Sequence, residues 1–252
     1  MVTILGGGGW FPAHGRHTAC ALLRRGDRAI LIDAGTGVAR LVERRELIDG
    51  LKSLDIVLSH FHLDHIAGLA YLPAIHLCPQ TTVWGPGQLL YDRSTFDVLD
   101  RLTHEPVHPV PLEKQDIRVR ELPPGELELA GIRLATRRQD RHSTPSLGFR
   151  FEDQLVWITD TAYDPDSARF AEGCEVLAHE AWFESSKPRD ADIHTSATQA
   201  AAVAADADVE RLLLIHLPPF QESVEGLVAE ARAAAPLAEP ARDGIEETLF
   251  DP

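Results

Sequence analysis

Apolar residues fall in short runs, broken by glycine, proline and charged turns, and the runs alternate between two periods. Runs over 2–5, 19–23, 29–32 and 55–59 are short and continuous, which predicts buried strands. Further strands are expected over 82–84, 117–121, 127–129, 132–136, 146–152, 154–159, 176–179, 211–215 and 246–250. Helical spacing predicts helices over 38–47, with Val38, Leu41 and Val42 on one face, and over 66–72, ending at Pro73. Others are expected over 87–102, 196–205 and 224–234, and the Ala/Glu-rich stretch 228–241 reads as a surface helix and loop. Strands alternating with helices, with hairpins mixed in, predict an α/β protein with mixed sheets covered by helices. There is no internal repeat and no clear linker, so residues 1–252 are expected to form one domain.

Composition narrows the function. The 252 residues are 44% hydrophobic, enough for a sizeable core. Twenty-four basic against 39 acidic residues give a formal net charge of −15, a poor balance for gripping long nucleic acid through many phosphates. A bound metal is a strong local positive charge, so a single phosphate is still admissible. The three cysteines, Cys20, Cys78 and Cys174, are scattered, which argues against a disulfide framework or a cysteine-rich zinc site. No leader-like start and no long apolar span is visible, so a soluble, cytoplasmic protein without membrane attachment is expected.

The chemistry concentrates at residues 60–65, His-Phe-His-Leu-Asp-His. His60 and His62 alternate with Phe61 and can point the same way from an extended segment. Asp64 and His65 come one turn later and can face a second ion. Imidazole with carboxylate suits zinc first, and manganese or iron as well. The bland alternative is a histidine-rich surface loop. Against it, three apolar strands each run into a ligand-type residue: His60, Asp160 and His216. Loops at strand ends are a rigid place to build a site. The glycine run Gly6–Gly9 lacks a nucleotide-loop pattern and reads as a tight loop bordering the site.

The HxHxDH pattern resembles the metallo-β-lactamase superfamily, and the rest of the chain resembles its ribonuclease Z and small-molecule phosphodiesterase branch. Leu5-Gly6-Gly7-Gly8-Gly9-Trp10-Phe11-Pro12, Leu31-Ile32-Asp33-Ala34-Gly35-Thr36-Gly37, the segment 141–150, Thr159-Asp160-Thr161, His179-Glu180-Ala181, His194-Thr195 and Asp243-Gly244 follow that branch's motifs in order. The resemblance implies a four-layer αββα sandwich of two mixed β-sheets flanked by helices. It implies two divalent metal ions, one held by His60, His62 and His142, the other by Asp64, His65 and His216, with Asp160 between them. A metal-bridging hydroxide near Asp64 would be the nucleophile. His194 would protonate the leaving oxygen and Glu180 would orient it. The alternatives stay open: a turn histidine at 142, a structural histidine at 216 ahead of Pro218-Pro219, and a supporting role for His194. His179 reads as structural. Of the other histidines, His14 and His17 follow the glycine loop, within reach of the pocket mouth. His76 has no motif support, and His104 and His108 lie in a proline-rich loop expected to be solvated.

One departure matters. The interval between His142 and Asp160 is too short for the tRNA-gripping arm of ribonuclease Z. The expected activity is therefore hydrolysis of a small or cyclic phosphodiester. Lactone or ester hydrolysis on the same centre is the runner-up, ahead of tRNA 3′-end cleavage or a non-enzymatic binding protein. The partner expected is a small-molecule substrate. The compact members of that branch are often homodimers, though no stripe in the sequence marks an interface.

Overall fold

The computed structural model describes residues 1–75 and 78–247, with backbone only at 246–247, so His76 and the end of the last expected strand lie outside the described residues. The first half of the chain supplies β1 (Val2–Gly6), β2 (Cys20–Arg25), β3 (Arg28–Ile32), β4 (Ser53–Val57), β5 (Gln80–Gly85) and β6 (Ile117–Glu121). The second supplies β7 (Glu126–Leu129), β8 (Ile132–Gln139), β9 (Ser146–Phe151), β10 (Leu155–Ile158), β11 (Val176–Glu180), β12 (Arg211–Ile215), β13 (Ala238–Pro240) and β14 (Glu246–Glu247). Two seven-stranded sheets result, in the orders 14-1-2-3-4-5-6 and 13-12-11-10-9-8-7. In chain order each sheet passes from antiparallel hairpins to parallel strands, β3 to β6 in one and β10 to β13 in the other, and β14 adds to the first antiparallel to β1.

The continuous apolar runs follow from this layering, because both faces of the central strands are covered. Side chains alternate across a strand. Ile30, Ile32, Leu155, Trp157, Leu213 and Ile215 point between the sheets, with Phe149 and Phe151. Their neighbours Ala29 and Leu31 face outward onto Val38, Leu41 and Leu99. On the other side Val156, Leu212 and Leu214 meet the helices carrying Ala200, Ala204 and Leu227. Three apolar layers thus separate four layers of structure, the αββα arrangement expected.

Several elements differ from expectation. The helix over 38–47 is three short turns, Thr36–Ala39, Arg40–Glu43 and Arg45–Leu47, broken where Arg44 leaves helical torsions. Val42 is exposed, unlike Val38 and Leu41. The helix over 87–102 is two, Gly87–Tyr91 and Thr95–Thr103. Asp92 ends the first in a left-handed conformation, and the Ser94 side chain caps the second by accepting from the Asp97 amide. Pro73 does not end a helix; it sits in the first turn of Leu72–Ile75, where its missing N–H costs nothing. The helix Asp166–Ala171 and the strand β13 were not expected. Ala238 is fully buried, so 228–241 is not all surface. No helix among the described residues is long and apolar enough to cross a membrane.

Candidate metal centre

The carboxyl ends of the parallel strands of both sheets meet at one edge of the sandwich. β3 delivers Asp33, β4 delivers Ser59 and His60, β10 delivers Asp160, β11 delivers Glu180 and β12 delivers His216. Asp33, Asp160 and His216 each sit at positive φ, 54°, 54° and 49°. The chain turns sharply as it leaves each strand, a torsion that costs energy for a residue with a Cβ and that the packed strand ends hold in place.

The structure brings together all seven residues expected as ligands. His60, His62, His142 and Asp160 form one group, and Asp64, His65 and His216 another, with one donor atom per residue within 4.8 Å of its fellows in each. Asp160 lies between them. Its Oδ1 is 3.4 Å from His142 Nε2 and 3.9 Å from His60 Nε2. Its Oδ2 is 3.1 Å from His65 Nε2 and 3.4 Å from His216 Nε2. Asp64 Oδ2 lies 3.2 Å from His216 Nε2 and 3.5 Å from His65 Nε2.

Hydrogen bonds on the far side of the rings determine what each nitrogen can do. His142 Nδ1 donates to the Ile193 carbonyl at 2.9 Å, which leaves its Nε2 bare in the neutral ring. That bare nitrogen faces His62 Nδ1 at 3.2 Å. Asp33 accepts three donors: the Ser59 amide at 2.7 Å, the Ser59 hydroxyl at 2.9 Å and His65 Nδ1 at 2.8 Å. With its proton on Asp33, the Ser59 hydroxyl accepts from His60 Nδ1 at 3.0 Å. His60 Nε2 and His65 Nε2 are then buried and directed into the cluster with no hydrogen-bond partner.

These orphaned nitrogens fit a metal. An unpaired buried lone pair is costly, and a cation satisfies several at once. The electrostatics agree. Burial opposes charge on His65, but the Asp160, Asp64 and Asp33 carboxylates outweigh it and hold its pKa well above the usual value. Burial likewise opposes the Asp160 carboxylate, and His216, His65 and His60 hold it well below its ordinary range. Burial pushes the His60 imidazole well down. The carboxylates thus favour positive charge at this cluster, which a bound metal would supply.

The glycine loop borders the site as expected. A Cβ at Gly9 would lie 2.5 Å from His216 Cε1, so the loop can lie against that ring only with glycine there. The next residue, Trp10, donates its amide to Asp64 Oδ2 at 2.7 Å.

His194 sits in the same cavity, in a third group with Asp160 and His216. Its Nδ1 is 2.7 Å from Glu180 Oε2, and the other oxygen of this fully buried carboxylate accepts from the Thr161 amide. Burial alone would pull the imidazole pKa down; Glu180 overrides it and raises the value to about 9.

Trp182 was not singled out in the sequence. Its indole stacks on His194, with centroids 4.6 Å apart and planes at 25°, and it also tilts over His216. His179 is buried with Nδ1 on the Glu180 carbonyl, outside every ligand group, consistent with packing. The cavity lining includes neither His14 nor His17. His108 is half-buried rather than solvated, because its Nε2 reaches the Ala70 carbonyl at 2.9 Å. His104 is exposed beside Asp100. Cys20 and Cys174 are buried free thiols, and Cys78 is partly exposed.

Residues 28–217 match the family model described as the beta-lactamase superfamily domain. The chain belongs to that superfamily. A superfamily relative, ribonuclease Z of Methanopyrus kandleri, is 26% identical over 290 residues, covering 97% of this chain and 96% of its own. The solved structure of the metallo-beta-lactamase fold protein YhfI from Bacillus subtilis superposes with a TM-score of 0.79 at 23% identity, covering 97% of each chain. That of a diphosphatase from the PhnP family gives 0.70 at 20% identity, covering 98% of each. At these identities the two structural likenesses show the superfamily fold.

The Asp33 triad of donors makes a first prediction. In Asp33→Asn one carboxylate oxygen becomes an NH2 group and confronts a donor, so His65 and Ser59 lose their common anchor. Zinc affinity, measured by competition with a chromophoric chelator, is expected to fall about 10- to 100-fold with the far-UV spectrum retained. Unchanged affinity would show that Asp33 does not position these rings.

Proposed function

We propose that this metal-dependent hydrolase cleaves a small phosphodiester. The observation that carries the reading is the His194–Glu180 pair beside the ligand cluster. A departing alkoxide needs a proton, and a buried glutamate 2.7 Å from His194 Nδ1 keeps that imidazole charged close to where the bond would break. A carbonyl substrate with a good leaving group has no such need.

His60, His62 and His142 would hold one divalent ion, and Asp64, His65 and His216 the other, with one Asp160 oxygen toward each. Histidine nitrogens with carboxylate oxygens suit zinc first, then manganese or iron. Bound there, the two ions would supply Lewis acidity, lowering the pKa of water and neutralising charge on the attacked group. The chain's own residues do the rest. Asp33, Ser59 and the Ile193 carbonyl fix ring tautomers and directions, the Trp10 amide holds Asp64, and Glu180 with Trp182 orients His194.

The size of the site supports a small substrate. Its cavity, lined by His62, Asp64, His142, Asp160, His194 and His216, holds about 580 Å3. That lies within the range of roughly 300–1,000 Å3 common for small-ligand pockets. The ribonuclease Z alignment spans 290 positions, more than the 252 residues of this chain, so that relative carries residues with no counterpart here. Together with the net charge of −15, this favours a small ligand over tRNA.

A substrate panel tests the reading. Zinc- or manganese-loaded protein is expected to hydrolyse bis-p-nitrophenyl phosphate and cyclic nucleotides, to lose this activity on chelation and to regain it on metal return. Rapid lactone turnover with no diester cleavage would replace it with the carbonyl reading.

A further inference from the structure

Three large rings stand in water where the cavity opens. Trp10, Phe11 and Phe220 remain 60%, 46% and 39% exposed. They touch one another edge to face, with centroids 6.1, 5.8 and 6.3 Å apart, so they form one apolar patch. Scattered exposed rings need no explanation, but a contiguous group does. Trp10 and Phe11 line the same cavity as His62, Asp64, His142 and His194. Phe220 continues the patch inward, with its ring 5.6 Å from Trp182.

The backbone holds this patch at the site. Trp10 has φ 61°, a conformation that a bulky residue seldom adopts. Its amide hydrogen bond to Asp64 is part of what keeps it there. The same residue thus ties its main chain to the ligand cluster and projects its ring over the entrance. Arg189 lays its guanidinium 3.8 Å from the centre of the Phe220 ring and pairs with the cavity-lining Asp190 at 3.7 Å, which fixes one face of that ring.

We propose that Trp10, Phe11 and Phe220 form a binding subsite for a planar aromatic substituent of the substrate, adjoining the position of its phosphoryl group. The inference deepens the phosphodiester reading and rests on it. An occupant of the cavity that reaches the cluster lies beside Trp10 and Phe11, which line the same cavity. A flat π-system recovers their exposed area and stacks with them, while an anionic phosphoryl group turns toward the ligand cluster.

Binding of two inert probes separates the contributions. Phenylphosphonate and methylphosphonate present the same phosphoryl chemistry and differ only in the ring. By titration calorimetry, zinc-loaded protein is expected to prefer phenylphosphonate about tenfold. Trp10→Gly, which suits the positive φ, and Phe220→Leu, which keeps volume but removes the ring, should each shrink that ratio several-fold. Phe11→Leu, at an exposed position, provides a third variant if either of these loses metal or fold. Equal affinity of the wild type for both probes, or proportional loss of both in the variants, overturns the subsite. A clear phenyl preference in a protein that cleaves no diester leaves the subsite standing and removes only the phosphodiester reading.

Discussion

Asp160→Asn is expected to lower diester hydrolysis by at least about a thousandfold, equivalent to about 4 kcal/mol of lost transition-state stabilisation. It should also leave less than full metal occupancy after dialysis. Among the described residues this carboxylate is the one group whose two oxygens face the two histidine sets separately, His60 and His142 on one side, His65 and His216 on the other. An amide retains one oxygen and turns an NH2 group, a donor with no available lone pair, toward the other set, so one group loses a ligand and the negative charge disappears. Asparagine is the informative replacement because it tolerates the left-handed backbone at φ 54°, where alanine would add strain to the loss of charge. Metal content by mass spectrometry and activity on bis-p-nitrophenyl phosphate check the prediction together. A variant with full metal content and activity within tenfold of wild type would show that Asp160 does not join the two groups.

How far the site was legible in the sequence follows from where each residue sits. The cluster at 60–65, and His60, Asp160 and His216 at the ends of apolar runs, could be read because strands buried on both faces stand out as uninterrupted hydrophobic segments. The same runs give mixed sheets covered by helices, and the four-layer order comes from the family resemblance. The residues that aim the ligands were less visible. Asp33 stood within a recognisable glycine motif, but its three donors come from Ser59 and His65, remote in sequence and brought close only by the pairing of β3 with β4. Trp182 stacks on His194 across a loop, and a single tryptophan carries no periodic pattern to betray such a contact. Local breaks were missed for a related reason. Asp92 turns left-handed between two segments of continuous helical pattern, and the Ser94 cap, three residues before Asp97, is the only local sign that a second helix begins.

His194→Ala should separate the two candidate chemistries by leaving group. For diesters that expel an alkoxide, kcat is expected to fall roughly 100- to 10,000-fold, the usual worth of a positioned proton donor. For p-nitrophenolate, which leaves without a proton, the fall should be tenfold or less. Dependence on pH supplies the second readout. Glu180 raises the His194 pKa to about 9, and nearby cations would lower it. The acid form is present below the pKa and lost above it, so activity on poor leaving groups should decline on the alkaline side. That limb should vanish in His194→Ala and move to lower pH in Glu180→Gln, where the carboxylate that raises the pKa is gone. A merely structural histidine predicts something else: comparable losses for both leaving groups and an unmoved alkaline limb. If that pattern is found, the proton must come from elsewhere, and the carbonyl reading of the centre gains accordingly.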